Sequence, residues 1–394
     1  MNTTPVRDLI SAGHLRVEDG NHGNDRPRRN EFTTSGIAFV RAADMTSGRI
    51  DFEGAGKISS TARTRIRKGV GEPGDVLLSH KGTVGRVAIA PMNAPDFVCS
   101  PQTTFWRSLN GEVLNQRYLQ FALEGPDIQS QLKAIADSTD MAPYVSLTAQ
   151  RSLRLNLHPI EEQRAIAEVL GALDDKIAAN SRLVDTADQL ATLMTRERLE
   201  GSSAPLHTLA TVTMGTSPKG DTFNETGQGV PFFQGVRDFD VRFPRERIWT
   251  TNPIRMAKGG DILVSVRAPV GRVNLAPGDV CIGRGLAAVN SSTDQQFTLF
   301  HLLKQAGAVW QPYEAEGTVF GSINRKQLHD LEIPLIRESH RSTLEAKLRA
   351  LESRIRTALW ENESLAATRD ALLPALMSGR LRVKDAERQI EEAV

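Results

Sequence analysis

Apolar positions along the chain follow two different rhythms. Val76-Leu77-Leu78 and Ile262-Leu263-Val264 are short unbroken apolar runs, each followed by a turn and by a second run after Val-Gly-Arg, and they read as β-hairpin-like units. Elsewhere the apolar residues step by four and three. Ile166, Leu170, Leu173 and Ile177 do so in one stretch, and Leu344, Leu348, Leu351 and Ile355 in another, which predicts two heptad-like helices with an apolar seam. From Glu161 to Glu200 there is no proline and no glycine except Gly171, so about 40 residues at 1.5 Å each predict a helix roughly 60 Å long. The second helix is predicted from about Arg337 to Ser378, with Pro374 kinking it or starting a new turn near its end.

Both rhythms occur twice. GDVLLSHKGTVGRVAIAP (Gly74 to Pro91) aligns without gaps on GDILVSVRAPVGRVNLAP (Gly260 to Pro277), an offset of 186 with 10 of 18 positions identical. Downstream, Cys99 and Cys281 fall in comparable places, and Val145 to Ile160 resembles Gly321 to Ile336. Matching seams in a duplicated chain favour pairing of the two helices with each other over each folding back on its own domain. The helices align at an offset of 178 around Leu173 and Leu351 but at 182 where Asn180 meets Asn362, which gives the second helix four extra residues. The expected architecture is α+β: two β-rich α/β domains in a pseudo-twofold repeat, joined by two long antiparallel coiled-coil helices. The boundaries are a first β-rich domain at 1–157, a first helix at 158–200, a second β-rich domain at 201–336, a second helix at 337–380 and a C-terminal tail at 381–394.

Composition narrows the function. The 394 residues are 40% hydrophobic, ample for packed cores, and no stretch approaches the roughly 18 apolar residues of a membrane span. The opening MNTTPVRDLI lacks a secretory apolar run, so a cytoplasmic protein is expected. Two cysteines are too few for a disulfide framework or a zinc site and read as small buried hydrophobes. Net charge is only +1, from 48 Lys plus Arg against 47 Asp plus Glu, so any contact with nucleic acid has to come from local patches.

The motifs of catalysis are missing: no phosphate-binding glycine loop, no strand-linked G-x-G-x-x-G, no H-E-x-x-H and no clustered Cys/His ligands. The nuclease-like fragment Glu345-Ala346-Lys347 reads as a solvated helix face. Recognition chemistry is better represented. The repeated hairpin puts Lys81 and Arg86 in one half and Arg267 and Arg272 in the other beside small residues, where guanidinium and ammonium groups suit guanine edges or phosphates. The loop NHGNDRPRR supplies Arg26, Arg28 and Arg29, the stretch TSPKGDT supplies Lys219, and RTRIRK (63–68) and RFPRER (242–247) add further cations. Gln102, Thr103, Thr104 and Arg284 are candidate readers of base edges, since amide, hydroxyl and guanidinium groups match groove donor and acceptor patterns.

A family resemblance rests on two further segments. Leu157 to Ala167 (LHPIEEQRAIA), followed by Leu173-Asp174-Asp175-Lys176-Ile177, and the closing Leu372 to Val383 (LLPALMSGRLRV) resemble the two conserved helices of the DNA-specificity subunits of Type I restriction-modification systems. Asp19 to Gly23 resembles the start of a first target-recognition domain. His158 stands where a proline is usual in the family. The resemblance implies two target-recognition domains reading a bipartite, asymmetric double-stranded DNA sequence, with the seam residues as spacer and docking surface. It implies as partners two modification methyltransferase subunits and restriction translocase/endonuclease subunits. The chain itself would be non-catalytic and without a cofactor, S-adenosylmethionine, ATP and Mg belonging to the partners. The rival readings are a freestanding enzyme dimerised by its helices, and a scaffold whose β-rich domains bind proteins.

Overall fold

The computed structural model describes residues 2–46, 48–138, 142–314 and 321–393. They form two compact units, one of residues 1–178 with 363–394, the other of residues 179–362.

In the first unit the spatial order Thr83–Ile89, Val76–Lys81, Thr103–Ser108, Leu15–Asp19 makes a four-stranded antiparallel sheet. A five-stranded sheet, Phe32–Thr33, Gly56–Ile58, Ile37–Val40, Phe97–Cys99, Val70–Gly71, contains one parallel pair, Ile37–Val40 with Phe97–Cys99. The central strand explains why the apolar run is unbroken. Val76 and Leu78 sit in a core shared with the helices, Leu77 in a second core shared with the five-stranded sheet, so both faces are buried. Each such side chain contributes about 1.5–3 kcal/mol by leaving water, and Leu77→Asp would place a charge between the two sheets.

The second unit repeats this plan. Its four-stranded sheet is ordered Val273–Leu275, Ile262–Ser265, Leu286–Ser291, Ala210–Met214, and its five-stranded sheet Phe223–Asn224, Trp249–Thr250, Val230–Phe233, Val280–Ile282, Met256–Ala257. Ile262 and Val264 again face one core and Leu263 the other. The cysteines, however, are not equivalent. Cys99 is the last residue of its strand, whereas Cys281 is the middle residue of the matching strand and Ile282 takes the Cys99 position. Neighbours in a strand face opposite sides, so the two thiols point into different layers. Burial pushes the Cys99 thiol up to about 12, as suits an inert hydrophobe.

Two helices, Ile160–Arg196 and Arg341–Met377, hold 37 residues each, so the four extra residues expected in the second are absent. Pro374 falls three residues before the end and the helix runs through it to Met377. In the second unit Asn180 Nδ2 donates to Glu361 Oε2 (2.8 Å), while Val184 and Ala187 pack with Ile355 and Ala358. Rising numbers on one helix meet falling numbers on the other, so the pair is antiparallel. In the first unit Asp174 accepts from Arg369 at 2.7 Å.

The seam residues were expected to double as a docking surface, and burial rules that out for six of the eight. Ile166, Leu170 and Leu173 lie in the first unit's main core, together with Leu372 and Leu376. Leu344 and Leu348 lie in the second unit's core and Ile355 between the helices. Ile177 and Leu351 are only partly buried. These residues join β-rich domain to helix as much as helix to helix. The C-terminal tail is also ordered: Val383–Ala393 is a helix whose Ala386 is buried in the first unit's core. Glu345 is no solvated face either, since its carboxylate is buried and accepts from the Phe297 and Thr298 amides and the Thr298 hydroxyl, capping the helix Gln296–Gln305.

Candidate nucleic-acid interface

Much of the repeated hairpin motif is scaffold. Gly74 and Gly260 adopt φ of +85° and +88°, a region open to glycine. Asp75 and Asp261 close the same turn, accepting from the Glu72 and Lys258 amides at 2.8 Å. Ser79 and Ser265 accept from the amides of Arg86 and Arg272 at 2.9 and 2.8 Å. The Arg86 guanidinium donates to the carbonyls of Ala42 (3.0 Å) and Met45 (3.4 Å), which makes it a brace for the loop after Ile37–Val40. Arg272 stays exposed.

What the scaffold presents is the end of its central strand. Lys81 and Arg267 are exposed there, each bridged across to a second segment, Lys81 to Tyr144 and Arg267 to Ser322. The flanking loop is held alike in both, the His80 amide donating to the Gln102 carbonyl (2.8 Å) and the Val266 amide to the Gly285 carbonyl (2.9 Å). The Lys81 ammonium lies 5.8 Å from the Tyr144 ring centroid.

Around Lys81 the structure separates exposed side chains from buried ones. Gln102 is exposed. Thr103 and Thr104 are fully buried and cannot reach a base edge. The Thr103 hydroxyl donates within reach of the Val40 and Ser100 carbonyls at 3.1 Å, and Thr104 Oγ1 donates to Gln150 Oε1 (3.0 Å) and accepts from Trp106 Nε1 (3.2 Å). The loop carrying Arg26, Arg28 and Arg29 is fastened at its base. His22 is buried with Nε2 2.9 Å from the Cys99 carbonyl, and Arg65 grips Glu31 through two bonds of 2.9 and 2.7 Å. That guanidinium, with the Arg28 amide, holds the Glu31 carboxyl down at about 2. The three arginines themselves remain exposed.

In the second unit Lys219 and Arg284 are exposed, and the Arg284 amide donates to Ser217 Oγ at 3.3 Å. An open cleft of about 690 Å³ lies beside Arg267, lined among others by Gln234, Arg237, Arg247 and Glu225. Arg247 is committed to Asp238 at 2.8 Å, and Asp238 also accepts from the Gln234 amide at 2.8 Å. Arg242, in the stretch RFPRER, is instead 1% exposed and sealed in a charge network with Asp188 (2.5 Å) and Glu352 (3.2 Å). Of the arginines in that stretch only Arg245 and Arg247 face outward, both paired to aspartates.

Sequence reasoning missed Gln234, Arg237 and the half-exposed Arg41. A signal existed: in each half an apolar strand is followed by a polar residue and then an aspartate that closes a turn, Arg41 with Asp44 and Gln234 with Asp238. Among the described residues no group of three His, Cys, Asp or Glu is placed to hold a metal, and no helix is long and apolar enough to cross a membrane.

Residues 21–186 match the family model of the Type I restriction modification DNA specificity domain. Over 376 residues the chain is 27% identical to a protein of Methanocaldococcus jannaschii described as a candidate type I restriction enzyme MjaX specificity subunit, covering 89% of this chain and 88% of the relative. The crystal structure of a Type-I restriction-modification system S subunit from M. genitalium superposes with a TM-score of 0.62 over 95% of each chain at 14% identity, which shows a shared fold. Residues 21–186 thus carry a DNA specificity domain of Type I restriction-modification systems. The chain that bears it is a specificity subunit, whose role is to recognise DNA for a multisubunit complex rather than to catalyse.

Proposed function

We propose that each β-rich domain reads one half of a bipartite, asymmetric DNA target, and that the chain docks two adenine-methyltransferase subunits and the ATP-dependent restriction subunits in the cytoplasm. In this reading the chain binds no cofactor. S-adenosylmethionine, ATP and Mg act in the partners. One observation carries the proposal: two scaffolds of identical strand order present an exposed cation at the same strand end, Lys81 or Arg267, among neighbours that differ. A shared frame with different contact residues suits two different half-sites. Arg26, Arg28, Arg29 and Gln102 add contacts in the first domain, and Lys219, Arg272 and Arg284 in the second.

Co-expression of the chain with its methyltransferase subunits, followed by mapping of methylated adenines, tests this. A split, non-palindromic motif is the expected result, with binding that weakens steeply as salt rises. Methylation by the purified chain alone with S-adenosylmethionine, or a complex that binds DNA without salt dependence, would overturn it.

A further inference from the structure

The cleft beside Arg267 is more specific than a phosphate contact requires. Among the described residues the guanidinium groups of Arg237 and Arg267 have no hydrogen-bond or ion-pair acceptor, whereas Arg247, in the same cleft, is neutralised by Asp238. Glu225 supplies a carboxylate to the same wall. The floor is backbone: the Gly285 position lies so near the Gln234 carbonyl that a Cβ there would approach its oxygen to 2.3 Å. The strand end bearing Arg267 is held on three sides. The Val266 amide donates to Gly285, the Ala268 amide to Gly321 and the Ser265 hydroxyl to Pro269 (2.7 Å), so little ordering remains for when a ligand arrives.

Guanidinium is a planar fork that matches the O6 and N7 acceptors of guanine, and a carboxylate accepts from the N4 amino group of cytosine. Lysine, a point charge, has no such fork. The first domain carries lysine at the equivalent strand end, set against Tyr144, an arrangement suited to phosphate. We propose that the second domain's cleft reads a G·C base pair in the major groove, with Arg267 as its guanine-reading residue and Glu225 facing the cytosine, while Lys81 contacts phosphate. This rests on the specificity-subunit reading and names what one of its sites recognises.

The test is methylation mapping at base resolution with the assembled methyltransferase complex, comparing wild type with Arg267→Lys, Arg267→Ala, Glu225→Gln and Lys81→Ala. Discrimination at one G·C position, in one half of the motif, is expected to fall about ten- to hundredfold in Arg267→Ala, and Arg267→Lys should restore it only in part, since an ammonium reaches O6 and N7 without the planar fork. Glu225→Gln should relax the same position. Lys81→Ala should lower methylation evenly across sequences. An unchanged motif at uniformly lower methylation in the Arg267 variants, or a wild-type motif with no G·C pair in the affected half, overturns the assignment. A wild-type complex that methylates no split motif overturns the underlying reading instead.

Discussion

Removing Arg242 should unfasten the second β-rich domain from its helices. The side chain comes from the loop after the 3-10 turn Val236–Asp238. It is 1% exposed, with Asp188 of one long helix at 2.5 Å and Glu352 of the other, itself 3% exposed, at 3.2 Å. The Phe300 ring lies 4.9 Å from the guanidinium carbon. In Arg242→Ala, among the described residues Glu352 keeps only His301, at 2.8 Å, and Asp188 keeps only Lys304. Burial pushes the Asp188 carboxyl upward, and the Lys304 and Arg242 bonds more than reverse this, so its pKa lies below the usual range. Breaking a buried ion pair from one side costs about 3–5 kcal/mol, because the remaining charge stays buried. Urea unfolding of the intact chain should show that loss as a lower midpoint, with hydrogen exchange accelerated in residues 236–247. The double variant Arg242→Met, Glu352→Met removes both charges and should recover most of it. A loss below about 1 kcal/mol in Arg242→Ala, or no recovery in the double variant, would refute the reasoning.

Glu124 offers a pH test: burial, with Asp174 and Asp370 nearby, lifts its carboxyl to about 7. A folded pKa above the unfolded value near 4.5 means the folded state binds the extra proton, so stability falls as pH rises between those values and is then flat. Glu124→Gln should therefore gain about 2 kcal/mol relative to wild type on going from pH 5 to pH 8, and parallel pH profiles would contradict this. Thr104→Ala should cost about 1–2 kcal/mol by stranding Trp106 Nε1 and Gln150, yet leave the methylated motif unchanged. A changed motif would return Thr104 to the readers.

The sequence made the repeat and its hairpins legible because a strand buried on both faces must be an apolar run, as Val76 to Leu78 and Ile262 to Val264 are. Several identical motif residues have backbone work: Gly74, Asp75 and Ser79 recur as Gly260, Asp261 and Ser265 because each closes the same turn or accepts the same amide. Polar residues were read less well. Thr103-Thr104 and Arg242 have the composition of a recognition surface, and only tertiary packing shows their donors spent internally. The cysteine register slipped because the offset between halves shifts from 186 at the hairpin, Gly74 to Gly260, to 183 at the next strand, Cys99 to Ile282. The helix seams were visible as periodicity, but periodicity does not say which surface covers them.

The central claim is that two separable domains read two half-sites, and exchange of one reader tests it most directly. Replacing residues 1–157 with the corresponding domain of another family member, in the assembled complex, and mapping methylated adenines should change the bases of one half of the motif and leave the other half intact. The first domain's own sheets and core make that separation physically reasonable. Altered bases in both halves, or in neither, with the exchanged complex active, would contradict the account.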